Sequence, residues 1–149
     1  MNRVSPQMRN VARRLIAYET PRNTSSESKT PASFPVSEKL RPYLATLMGN
    51  GGFRALLSRA LVLASEEVLW LRAVHVKANG SLEGFEELQT QLDPHELLEG
   101  RVVFLAQLIG LLVAFIGVSL TVRLFRDIWP AVPLNDLDFA KPAKDDKAQ

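Results

Sequence analysis

The chain has no cysteine and only two histidines in 149 residues. Without cysteine there is no disulfide framework, no thiolate metal site and no cysteine nucleophile. The two imidazoles leave little room for metal chemistry. His95 and Glu99 stand four apart, so on a helix they share a face and offer two ligands, but no third ligand is indicated. A solvated helix start accounts for both. No serine has the GxSxG context of a nucleophile elbow, and the GNGG of 49–52 matches neither GxxxxGK[ST] nor GxGxxG. The expectation is therefore a protein that is not an enzyme, with no cofactor, no metal and no evident small-molecule substrate.

Large net charge is also missing. At +2 the chain is not a nucleic-acid binder by bulk electrostatics. No aromatic residues interleave with the N-terminal arginines to stack bases, so no nucleic-acid partner is expected. Apolar runs near the N-terminus are broken by arginine, which excludes a secretory signal, although the Arg-rich, then Ser-rich start faintly imitates a transit peptide. The charge that is present is segregated. Residues 1–18 carry Arg3, Arg9, Arg13 and Arg14 and no acid, whereas residues 82–99 carry Glu83, Glu86, Glu87, Asp93, Glu96 and Glu99 and no Lys or Arg.

What the chain does have is helical periodicity. After Ser5-Pro6, a capping residue and a good first helical position, Met8, Val11, Ala12, Leu15 and Ile16 recur on one side. This predicts a short amphipathic helix over 1–19, ending near Tyr18. Residues 20–36, rich in proline and serine, predict a flexible linker. Ser37 offers a cap for a following helix, and GNGG ends it. From Phe53 a wide apolar face predicts a long helix to about residue 76. A hairpin around Asn79-Gly80 is the alternative to helix at 73–76, and a brief acidic helix is expected at 83–91. Asp93-Pro94-His95-Glu96 is a capping box with proline at the first helical position. The helix it opens meets no breaker before Trp129-Pro130, so it is expected to run unbroken over about 94–128. The last residues, 131–149, predict a flexible, charged tail. The fold class is all-α: a small helical bundle built on two long apolar helices, with residues 37–130 as its helical domain.

Within the second long helix lies VVFLAQLIGLLVAFIGVSLTV, residues 102–122, uncharged between Arg101 and Arg123. Fourteen of its residues are Val, Leu, Ile or Phe. At about 0.3–0.6 kcal/mol each they favour membrane insertion by roughly 4–8 kcal/mol, before the opposing cost of Gln107, Ser119 and Thr121. Its length matches a membrane core. Ala106, Gly110, Ala114, Gly117 and Thr121 form a small-residue stripe suited to close helix packing. The run reads first as a single membrane span, placing the protein in a bacterial inner membrane as an adaptor or assembly subunit. The competing reading is a cytoplasmic bundle in which 102–122 is the buried central helix and the protein is a protein–protein interaction module. Either way the expected partner is a protein, or a second copy, met through apolar helices. Arg9, Arg13 and Arg14 are the candidate surface-binding residues: they face an anionic membrane or the chain's own acidic 82–99 region.

The segments RPYLATLMGNGGFRALLSRAL and WLRAVHVKANGSLEGFEELQTQLDPHE, within a likeness covering most of 1–139, resemble a family of short uncharacterised bacterial proteins. The resemblance implies a bacterial origin and supplies no activity or binding residues.

Overall fold

Pro6, which lacks an N–H to leave unsatisfied, opens the first helix, α1 (Pro6–Arg22). The computed structural model describes residues 6–22, 35–78, 82–84, 87–88, 90 and 91–134. Met8, Val11, Ala12, Leu15 and Ile16 are all buried, as their spacing requires, while Arg13 faces solvent. The helix continues a turn past Tyr18 and belongs to the core, so it is not a separate tethered element. The remainder of the expected linker, 23–34, lies outside the described residues.

Helix α2 (Pro35–Glu67) begins at Pro35, two residues ahead of the expected cap Ser37, which is buried inside the first turn. It has two limbs. They meet at Gly49, whose φ of 83° and ψ of 160° lie in a region essentially restricted to glycine. Of the four residues of GNGG, only this one leaves helical geometry. The second limb buries Phe53, Leu57, Ala60, Leu61 and Ala64 and turns Arg54, Ser58, Arg59 and Glu66 outward.

The helix expected over 53–76 is shorter than its apolar pattern suggests. It ends at Glu67, because Val68 is extended; a 3-10 turn, Leu69–Ala73, follows. Leu71 and Val74 stay buried across this change. Strand β1 (His75–Val76) then pairs antiparallel with β2 (Leu82–Glu83), with His75 opposite Glu83 and Val76 opposite Leu82. The hairpin, not the helical ending, is what forms. The strand also displaces the start of the expected acidic helix at 83–91; Asn79-Gly80-Ser81 lies outside the described residues.

Helix α3 (Pro94–Ile116) starts on the expected capping box: Asp93 Oδ1 accepts from the Glu96 N–H at 2.8 Å, and Glu96 Oε1 accepts from the Asp93 N–H at 3.2 Å. The expected continuous helix over 94–128 does not form. Gly117, with φ 91° and ψ 160°, separates α3 from α4 (Val118–Ile128). Thr121 Oγ1 donates to the Gly117 carbonyl at 2.7 Å, tying down the first turn of α4.

The core forms where α1 and α2 pack on α3. The second limb of α2 runs antiparallel to α3: Leu47, just before the kink, adjoins Ile116, while Trp70 beyond the limb donates to the Glu96 carbonyl at 3.2 Å and lies over Gly100. A Cβ on Gly100 would stand 2.1 Å from the Trp70 ring, so only glycine permits this approach. The chain past α4 is also held down. Trp129, Val132 and Leu134 are buried, and the Arg126 guanidinium donates twice to the Leu134 carbonyl, at 2.9 and 2.8 Å. The expected flexible tail therefore does not begin at 131; residues 135–149 lie outside the described residues.

Candidate functional site

Apolar side chains left in solvent are the first place to look for a binding surface, because a soluble domain rarely clusters them. Seven large hydrophobic residues are exposed among the described residues: Tyr43, Leu47, Val62, Leu69, Leu98, Phe115 and Leu120. Three of them, Tyr43, Leu47 and Leu120, line one groove at the end of the bundle where both glycine breaks lie, and Phe115 precedes Ile116 of that groove in the chain. Here the first limb of α2 and helix α4 line an open groove through Tyr43, Leu47, Ile116, Leu120 and Leu124, with Arg123 and Asp127 among its polar residues. The breaks create this surface. Because Gly49 and Gly117 each redirect a helix, the apolar residues beside them escape the shared core.

The small-residue stripe expected to serve helix packing is divided by the same geometry. Ala106 is fully buried under its neighbours, Gly110 is half-buried, and Ala114 is exposed. Gly117 is the break itself, and Thr121 belongs to α4, where it is buried. The five residues do not share one helix, so no continuous seam runs through them.

The arginines of α1 also part company. Arg9 pairs with Glu67 at the end of α2, and Arg14 Nη1 donates to the Pro133 carbonyl at 2.6 Å. Arg13 points outward and makes a long contact of 3.5 Å to Asn10 Oδ1. Their helix has no apolar face to offer a membrane in this conformation, since Met8, Val11, Leu15 and Ile16 are all in the core. Arg9 and Arg13 do line a small cleft with His95, Leu98 and Glu99, so part of the expected approach to the acidic region is present. His95 Nε2 lies 4.0 Å from Glu99 Oε1, with the imidazole almost wholly in solvent. Among the described residues no three His, Asp or Glu side chains converge on a point that could hold a metal ion.

One polar cluster escapes sequence reasoning altogether. Glu19, buried at the end of α1, accepts from Trp129 Nε1 at 2.7 Å and pairs with Lys39 Nζ at 2.7 Å. A single carboxylate thus joins α1, the first limb of α2 and the residue that ends α4. Nothing in the local spacing of these three residues announces it; only the fold brings them together. Arg101, which bounds the uncharged run, is half-buried, and desolvation lowers its pKa from the ordinary guanidinium value.

In comparisons with known proteins, no family model, no curated protein and no solved structure matches this chain.

Proposed function

We propose that the protein is a non-enzymatic helical interaction module in which the apolar run from Val102 is the central strut of a soluble bundle. The observation that carries this reading is the enclosure of residues 102–109, eight consecutive positions that are all buried, Gln107 included. A helix buried on every side needs protein neighbours on every side. Those neighbours have polar outer faces. Arg59 lies near the middle of the second limb of α2 and faces outward; at the depth of a bilayer centre such a charge costs about 2.5–3.5 kcal/mol. The break at Gly117 points the same way. It shortens the uncharged part of the continuous helix to residues 102–116, 15 residues, which at 1.5 Å each cover about 22 Å of a roughly 30 Å hydrocarbon core.

A second reading, the single-pass membrane adaptor, draws on two observations. Helix α3 as a whole is long and apolar enough to cross a membrane, and only 56% of its most apolar window is buried. Expression of the full chain without detergent, followed by size-exclusion chromatography and carbonate extraction of the membrane pellet, separates the two. The bundle reading expects a monodisperse species in detergent-free buffer. Retention in carbonate-washed membranes would overturn it in favour of the span.

A further inference from the structure

The groove at the kinked end has a second property besides its exposed apolar residues: exposed arginines follow both glycine breaks. Residues 42–58, spanning the Gly49 break, contain Arg54 and no acid; residues 102–126, spanning the Gly117 break, contain Arg123 and Arg126 and no acid. Arg54 and Arg123 are both exposed, five and six residues beyond their glycines. Asp127 is the one acid lining the groove. At the opposite end Glu83, Glu87, Asp93, Glu96 and Glu99 are all exposed around the strand pair and the start of α3, with Arg13, Arg72 and Lys77 as exposed basic residues beside them. Acids therefore outnumber bases at one end of α3, while exposed arginines flank the apolar groove at the other.

We propose that the kinked end docks on an anionic membrane surface. Phe115, which is 65% exposed, enters the acyl boundary with Leu120 and Leu47, and Tyr43 lies at headgroup level. Arg54 and Arg123 meet lipid phosphates, and the acidic end points away from a surface that would repel it. The exposed Arg54 and Arg123 favour an anionic surface as the occupant, and a second copy of the chain is an outcome of the test below. The docking rests on the bundle reading, since a helix that spans the bilayer cannot present its end this way.

The test uses the full-length protein in detergent-free buffer, floated with phosphatidylcholine vesicles made with and without phosphatidylserine. Binding is expected only with phosphatidylserine and should weaken as salt is raised. Arg54→Gln with Arg123→Gln should lower vesicle affinity by roughly tenfold to thirtyfold, and Phe115→Ser with Leu120→Ser should abolish flotation. All four side chains are exposed, so the thermal melts of these variants should match the parent. Equal binding to neutral vesicles overturns the electrostatic part of the proposal. No flotation by a monodisperse parent overturns the docking alone and leaves the bundle reading standing. A parent dimer that the same substitutions dissociate overturns the lipid in favour of a second copy. A parent that stays in solution only with detergent overturns the bundle and the docking together.

Discussion

The two halves of the apolar run in α3, 102–109 and 110–116, are nearly alike in composition and live in different surroundings. Residues 102–109 are buried without exception, whereas in 110–116 only Leu112 is, and Phe115 is largely in solvent. Phe104 and Phe115 make the contrast concrete: the same side chain on the same helix is 1% exposed in one half and 65% in the other. Hydropathy does not separate them. What separates them is whether a neighbouring helix continues past the position, and at the Ile116 end both long helices have just been broken by glycine. Enclosure comes from the neighbours' lengths, and those are set by Gly49 and Gly117.

This contrast can be broken most forcefully in the enclosed half. Phe104→Ala removes a fully buried ring and should destabilise the protein by about 3–5 kcal/mol, while Phe115→Ala should change stability by no more than about 0.5 kcal/mol. Urea denaturation of both variants checks the pair, and equal losses would mean that the two halves are equally enclosed. Gly100→Ala acts at the boundary between the acidic start of α3 and its apolar run. Alanine improves helix propensity, but its Cβ meets the Trp70 ring head-on, so a net loss of about 1–3 kcal/mol is expected. Trp70 is one of only two tryptophans, and a shift in indole emission should accompany that loss; unchanged emission with raised stability would place Trp70 elsewhere. Asp93→Ala should cost about 0.5–2 kcal/mol by freeing the Glu96 N–H from its acceptor, read as a lower melting temperature. A coincident melt would mean the helix starts after Asp93.

Several of these features were legible before any coordinates. The capping box at Asp93 and the apolar face of α1 follow from local chemistry, and both form as read; that this face joins the core does not follow from it. The second break does not follow. Gly100, Gly110 and Gly117 look equivalent along the chain, yet Gly100 is needed for the approach of Trp70, Gly110 is simply helical, and Gly117 takes a conformation closed to other residues. The distinction is tertiary, and sequence spacing does not contain it. The ending of α2 was hidden for another reason. A 3-10 turn also keeps residues three apart on one side, so Leu71 and Val74 point inward whether the helix continues or tightens. The groove was invisible because its apolar residues come from segments with other readings: Tyr43 and Leu47 from the helix capped at Ser37, and Leu120 from the uncharged run of 102–122. Glu19 is the same case in polar form, since its partners Lys39 and Trp129 lie 20 and 110 residues away.

Whether the apolar run is a core strut that stops at Gly117 is decided by one substitution at that glycine. At φ 91° a Cβ added to Gly117 has no neighbouring atom within 4 Å, so Gly117→Ala meets no steric obstacle other than its own backbone. If the break is real, alanine is held in a conformation that costs about 1–3 kcal/mol, and the full-length protein should melt at a lower temperature. If residues 102–122 form one continuous helix, alanine instead removes a helix-weakening glycine and should stabilise the protein by up to about 1 kcal/mol. A lowered melting temperature is the predicted result, and a raised one would contradict the account.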